Sequence, residues 1–317
     1  MRVLITGAAG FIGYHLCRSL LEDDYEVLGI DNLNDYYDPN LKTTRLEQLN
    51  SYKNFKFEKV DIADRGSLTQ SFQSFKPQKV VNLAAQAGVR YSLVNPYAYM
   101  DSNLVGYLNI IELCRHNNVE GFIYASSSSV YGDNKKIPFS IHDRVDTPIA
   151  LYGATKRANE LIAHSYSYLY DLNTTGLRYF TVYGPWGRPD MAMFIFTRRI
   201  HEKKPIPVFN HGKMKRDFTY IDDIISGTRA AIENNYKCEI FNLGNHKSEK
   251  LMDMITFIEN ELNQKAIIDF QPMQKGDVKE SFADIDYSNQ LLGFKPETNL
   301  ELGVSKFINW FNNYYKK

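Results

Sequence analysis

Short apolar runs alternate with stretches of helical periodicity through roughly the first half of the chain. Val3-Leu-Ile5 has the pattern of a strand buried on both faces of a parallel sheet. Gly7-Ala-Ala-Gly10-Phe11-Ile12-Gly13 follows at once, and apolar residues then recur at helical spacing through Leu16, Leu20 and Leu21. Glu26-Val-Leu-Gly-Ile30 is a second buried strand, ending at Asp31. Strand, glycine turn, helix and strand make a βαβ unit of about thirty residues. The alternation continues. A strand from Phe55 leads to Val60 and Asp61, and a helix covers Gly66 to Phe75. Lys79 to Leu83 is a fourth strand, and Tyr97 to His116 a long helix. Gly121 to Ala125 is a fifth strand, running into Ser126-Ser-Ser-Ser129. A helix carrying Tyr152 extends to about Tyr170, and Thr174 to Arg178 is a sixth strand. Regular alternation of this kind predicts an α/β fold, a doubly wound parallel sheet with helices on both faces.

The pattern breaks near Thr181, where Pro185, Pro189, Pro205 and Pro207 cluster among glycines. Beyond it helices are expected near 193–203, 222–234, 250–262 and 300–315, with short strands near Val208, Phe218 and Phe241. This divides the chain into a larger domain over 1–180 and a smaller mixed α/β domain over 181–317. Segments near 221–244 are expected to return to the first domain, because Phe241-Asn-Leu-Gly244 reads as one more strand of the main sheet.

Composition narrows the classes. Of 317 residues, 44% are hydrophobic and 23% charged, which fits a globular protein. Lys+Arg and Asp+Glu number 37 each, so no global field draws the chain to nucleic acid or an anionic membrane. Cys17, Cys114 and Cys238 are scattered, without metal-ligand spacing, and read as buried thiols in a reducing compartment; no metal site is expected. Met1 leads straight into a strand pattern, with no signal peptide and no membrane-spanning run, so a cytoplasmic protein is expected.

The glycine turn carries the first chemistry. Glycines let the backbone turn sharply and approach a pyrophosphate at the positive end of a helix. Asp31, at the end of the next strand, is placed to bind ribose hydroxyls and repel a 2′-phosphate, which favours NAD over NADP. The following strand ends, Asp61-Ile62 and Leu83-Ala84-Ala85-Gln86, lie where such a cofactor runs, and Asn103 sits on the helix behind it. The second chemistry is Tyr152 and Lys156, four residues apart on one helix face. A phenol with a pKa of about 10 is a poor base, and an ammonium beside it would favour the phenolate. Ser127 ends the fifth strand and offers a hydroxyl to share the proton that Tyr152 moves. No Ser-His-Asp arrangement is visible.

Five stretches carry a resemblance. They are Asp31 to Asp38, Ala84 to Ser92, Tyr152 to Glu160, Phe180 to Asp190 and Lys213 to Asp223. With the glycine turn and the serine cluster, they resemble the extended short-chain dehydrogenase/reductase superfamily, and within it the UDP-glucuronate 4-epimerases. The resemblance implies tightly bound NAD, a UDP-sugar substrate and a homodimer formed through the helices at 97–116 and 152–170. It implies Tyr152 as acid/base, Lys156 on the nicotinamide ribose, Ser127 with Ser128 and Ser129 on the sugar 4-oxygen, and Tyr179 and Val182 beside the cofactor. Thr181 and Arg188 would meet the hexose, with Arg188, or more weakly Arg90, on its carboxylate. Arg216 would meet the diphosphate, Val208 and Phe209 would flank uracil, and Asp277 would lie near the nucleotide ribose. Departures from the family pattern are Ala150 for serine, Val94 for glutamate, Lys275 for proline, and Gln274 where relatives acting on neutral sugars carry arginine.

The implied reaction removes the 4-hydroxyl proton and the C4 hydride, forms a 4-keto sugar, and returns the hydride to its other face. The strongest rival is 4-epimerisation of UDP-glucose or a UDP-N-acetylhexosamine, with an identical catalytic core. A 4,6-dehydratase usually places an Asp-Glu pair at the serine cluster, and a UDP-glucuronate decarboxylase a glutamate. Ser128 and Ser129 stand there instead. A non-catalytic NAD-binding scaffold is the reading of another class, and such relatives generally lose the tyrosine or the lysine.

Overall fold

The computed structural model describes residues 1–274 and 276–315, so Lys275 lies outside the described residues. The first half is built from β1 (Arg2–Thr6), α1 (Phe11–Glu22), β2 (Glu26–Asp31), α2 (Pro39–Leu49), β3 (Phe55–Lys59), α3 (Arg65–Phe75), β4 (Lys79–Asn82), α4 (Pro96–Tyr99), α5 (Tyr107–His116), β5 (Gly121–Ser127), α6 (Leu151–Tyr170) and β6 (Thr174–Tyr179). The second half comprises β7 (Thr181–Tyr183), α7 (Ala192–His201), β8 (Ile206–Val208), β9 (Lys215–Arg216), β10 (Phe218–Tyr220), α8 (Ile221–Asn234), β11 (Cys238–Leu243), β12 (Glu249–Lys250), α9 (Leu251–Leu262), β13 (Ile268–Phe270), β14 (Glu280–Ser281), α10 (Asp286–Leu292) and α11 (Leu300–Tyr315).

Seven strands form one parallel sheet in the order β11-β6-β5-β4-β1-β2-β3. The order reverses between β1 and β4, which opens a crevice at their carboxyl ends. The sheet separates two cores, and the period of two along each strand decides which side a residue joins. Val3 and Ile5 of β1 face a cluster with Leu16, Leu20 and Ile224, whereas Leu4 faces Leu68, Ile110 and Phe122. The doubly wound expectation is met.

β11 hydrogen-bonds β6 from Cys238↔Thr174 to Leu243↔Tyr179, so the chain rejoins the large sheet after leaving it. The smaller layer holds the three-stranded sheet β12-β9-β14 and the pair β13-β8. Among the described residues, no helix is long and apolar enough to cross a membrane.

Three local differences from the sequence reading have physical causes. The helix expected over 97–116 is interrupted by a π-helical stretch, Met100–Gly106. The Asn159 side chain donates to the Asn103 carbonyl at 2.7 Å, competing with the regular ladder bond at that point. α2 was not anticipated, although Asp38 caps it by accepting from Asn40 N and Pro39 opens it. Cys17 and Cys114 are buried as expected, but Cys238 is exposed, because it opens the edge strand β11.

Candidate active site

The glycine turn lies between β1 and α1, against the start of the Leu83–Gln86 segment. Gly7 has φ +73°, and a Cβ there would sit 2.8 Å from Ala84 N. A Cβ on Gly13 would meet the Gly7 carbonyl oxygen at 2.0 Å. Only glycine allows α1 to begin this close to the turn.

In front of the turn is a cavity of about 240 Å³. Gly7, Gly10, Phe11, Ile12 and Gly13 line it from the turn, and Asp31, Asn32, Asp61 and Ile62 from the ends of β2 and β3. Leu83, Ala84, Ala85 and Gln86 line it from the end of β4, and Ser127, Tyr152, Lys156, Tyr179 and Val182 from the far end. The Asp31 carboxylate accepts from Leu33 N at 2.9 Å and Ala9 N at 3.2 Å. Burial pushes its pKa up, and the Lys42 ammonium opposes this. A dinucleotide fits this cradle: a glycine-rich turn at a helix start for the pyrophosphate and a carboxylate at the next strand end for a ribose.

Asn103 is the exception. It is 2% exposed and does not line the cavity. Its amide closes on the Gln86 backbone, accepting from Gln86 N at 2.9 Å and donating to Gln86 O at 3.0 Å. The residue holds the Leu83–Gln86 segment in place and does not border the cavity. Asn34, Tyr36, Tyr37 and Lys42, which the sequence reading did not name as site residues, do line the cavity. The signal that could have found Asn34, Tyr36 and Tyr37 is their place in the Asp31 to Asp38 stretch.

A second cavity, about 660 Å³, opens toward the smaller layer. It is lined by Arg90, Ser127, Ser128, Ser129, Thr181, Arg188, Phe209, Arg216 and Asp277. Val208 is fully buried and does not line it, while Pro207 does. The reason is strand alternation: Ile206 and Val208 of β8 point into the core and Pro207 points away. Arg90 lies over the Phe209 ring at 4.8 Å and 3.4 Å from the Asp277 carboxylate, spanning the mouth. Arg216 donates to the Lys215 carbonyl at 2.8 Å.

Ser127, Tyr152 and Arg188 border both cavities. Burial raises the Tyr152 pKa, and the Ser127 hydroxyl and the Arg188 guanidinium pull it back. Lys156 makes no hydrogen bond to the phenol. Its Nζ donates to the Ala125 carbonyl at 2.8 Å, and burial lowers its pKa to about 8. An ammonium only 3% exposed must find an acceptor, and the end of β5 supplies one.

The serines divide by function. Ser126 donates to Glu160 at 2.6 Å, inside a buried network. Glu160 is held by Arg178 through two bonds, at 2.8 and 2.9 Å, and Arg178 also reaches the Tyr131 hydroxyl at 3.0 Å. The network fixes α6, and with it Tyr152, against β5 and β6. Ser127 instead accepts from Ser129 N at 3.1 Å, which turns the chain under the tyrosine. Arg188 is paired with Asp190, to which the Tyr36 hydroxyl also donates at 3.2 Å.

A model of the NAD dependent epimerase/dehydratase family matches residues 3–244. A probable UDP-glucuronate 4-epimerase of Rhizobium meliloti is 43% identical, over 100% of this chain and 98% of the relative. The crystal structure of UDP-glucuronic acid 4-epimerase from Bacillus cereus, in complex with UDP-glucuronic acid and NAD, is 35% identical. It superposes with a TM-score of 0.94, covering 99% of this chain and 100% of that one. UDP-glucose 4-epimerase of Thermotoga maritima, with UDP-glucose, is 30% identical with a TM-score of 0.90, each chain 99% covered. A glycine cradle for a dinucleotide and a tyrosine at its far end are what such an enzyme needs, and the chain belongs to the NAD-dependent epimerase/dehydratase family.

Proposed function

We propose that the protein is a UDP-sugar 4-epimerase that interconverts UDP-glucuronate and UDP-galacturonate. The observation that carries this reading is the position of Tyr152, where the cofactor cavity and the larger cavity meet, with Ser127 and Arg188 bordering the same junction. NAD, when bound, accepts and returns the C4 hydride.

Tyr152 takes the proton from the 4-hydroxyl and returns one to the 4-oxygen. Ser127 hydrogen-bonds that oxygen, and its hydroxyl favours the phenolate. Lys156, one helical turn further along α6 and lining the cofactor cavity, holds the cofactor's ribose. Thr181 and Arg188 receive the substituent at C5, and an arginine there suits a carboxylate. Phe209 and Pro207 flank the base, and Arg216 meets the diphosphate, with Arg90 and Asp277 at the mouth. Residues 1–180, with 221–244, act as the NAD-binding part, and the remainder as the nucleotide-sugar part. Exposed apolar residues, Tyr97 on α4 and Leu161, Tyr168 and Leu169 on α6, support pairing with a second copy.

A second reading, epimerisation of UDP-glucose, has one observation in its favour: Arg188 already carries a carboxylate partner in Asp190. Incubating the purified protein with UDP-glucuronate or UDP-glucose and separating the products tests both. UDP-galacturonate supports the proposal. A UDP-pentose means decarboxylation, and turnover of UDP-glucose alone supports the second reading.

A further inference from the structure

Arg188 reaches the junction of the two cavities already engaged. Its Nε donates to Asp190 Oδ1 at 3.0 Å and a terminal nitrogen donates to Asp190 Oδ2. Asp190 in turn accepts from the Tyr36 hydroxyl. Tyr36 comes from the loop after β2, lines both cavities, and packs on Tyr91 with ring centroids 4.8 Å apart. The Arg188 and Asp190 side chains are 21% and 29% exposed, so their attraction is only partly screened. Nε and one terminal nitrogen of the guanidinium are engaged with Asp190, and the side chain lines the sugar cavity.

We infer that Asp190 is a positioning residue that tempers the hold of Arg188 on the substrate carboxylate. The inference rests on the 4-epimerase reading given above. A C4 epimerase must remove hydride from one face of the sugar and return it to the other, so the ring has to turn inside the site between the two transfers. A carboxylate clamped by an uncompensated arginine would resist that turn, and binding that grips the ground state more tightly than the transition state slows turnover. Asp190 answers both needs. It fixes the guanidinium plane, and its negative charge, one guanidinium away from the incoming carboxylate, weakens the grip. Tyr36 keeps the Asp190 carboxylate aimed, which ties the sugar-side arginine to the loop that also borders the cofactor cavity.

The test is Asp190→Asn, which keeps an oxygen to accept from Arg188 Nε and removes the charge. Tyr36→Phe, which removes only the hydroxyl, serves as the second variant. Affinity for UDP-glucuronate and UDP-glucose is measured by titration, with kcat and reduced-nicotinamide absorbance in the steady state. Asp190→Asn is expected to bind UDP-glucuronate about tenfold more tightly, because a repelling carboxylate several ångströms away is gone. Its kcat falls and reduced nicotinamide accumulates, while UDP-glucose affinity stays at the wild-type value. Tyr36→Phe moves in the same direction by less. Unchanged or weaker uronate binding in Asp190→Asn overturns the inference, as does an equal shift for both sugars, which marks a structural role alone. Wild-type protein that neither binds nor epimerises UDP-glucuronate overturns the underlying reading, and the inference with it. Wild-type activity on UDP-glucuronate with the wrong response in the variants overturns the inference alone.

Discussion

Lys156 Nζ donates to the Ala125 carbonyl at 2.8 Å, and this bond, not a contact with Tyr152, holds the lysine in the folded protein. It couples α6 to the end of β5, the two elements whose relative position sets the distance between the tyrosine and Ser127.

The buried ammonium has a consequence for stability. Its pKa falls from an ordinary 10.5 to about 8. Between those values the unfolded chain binds a proton that the folded chain does not, so stability rises with pH through that window. Wild-type protein free of nucleotide should gain up to about 3 kcal/mol more than Lys156→Met between pH 8 and pH 10.5, the difference isolating this group from the titrating tyrosines. Urea unfolding of both proteins across the window checks it. Parallel pH profiles would mean that the lysine is not neutralised by burial.

Glu160 and Arg178, 1% and 2% exposed, form the buried ion pair that seats α6. Removing one partner leaves the other charge uncompensated, which costs about 3–5 kcal/mol. Glu160→Gln should be destabilised by that order at neutral pH. Burial alone would raise the Glu160 pKa, but Arg178 and Ser126 hold it below its ordinary 4.5. The advantage of glutamate is therefore present above pH 4.5 and is lost as pH falls through the lowered value. Denaturant titrations of wild type and variant at neutral and acid pH should converge at the acid end.

Much of this architecture was legible in the chain. The sheet followed from apolar runs alternating with helical periodicity, because strands buried on both faces leave a strong signal. The glycine turn, Asp31 and Ser127 lie at strand ends or just beyond them, and Tyr152 lies in the first turn of α6, where local sequence dictates position. The misreadings came from side chains whose partners are remote in sequence. Asn103 was expected at the cofactor, but its amide is spent on Gln86 and it does not line the cavity; Lys156 does line it, and only its bond to Ala125 of the neighbouring β5 was not foreseen. Val208 failed for a local reason, the phase of a three-residue strand, which one slip inverts. Asp190 was visible in the Phe180 to Asp190 stretch, but its pairing with Arg188 and Tyr36 is a matter of loop conformation, which hydrophobic patterning does not encode.

Arg188 discriminates between substrates in this account. Arg188→Ala removes a charged donor and leaves Asp190 facing the sugar. Affinity for UDP-glucuronate should fall at least about tenfold, since a hydrogen bond to a charged group contributes about 1.5–3 kcal/mol. UDP-glucose should be affected far less. Competition titrations with the two nucleotide sugars read the ratio directly, and an unchanged ratio would move carboxylate recognition to other residues.

The central claim is that Tyr152 works on a sugar oxidised and reduced at C4 within one site. The most direct measurement uses UDP-glucuronate deuterated at C4, purified protein without added NAD, and NMR analysis of the product. The account predicts UDP-galacturonate that keeps the deuterium at C4, and no product from Tyr152→Phe. Loss of the label to solvent, or undiminished turnover by Tyr152→Phe, would contradict it.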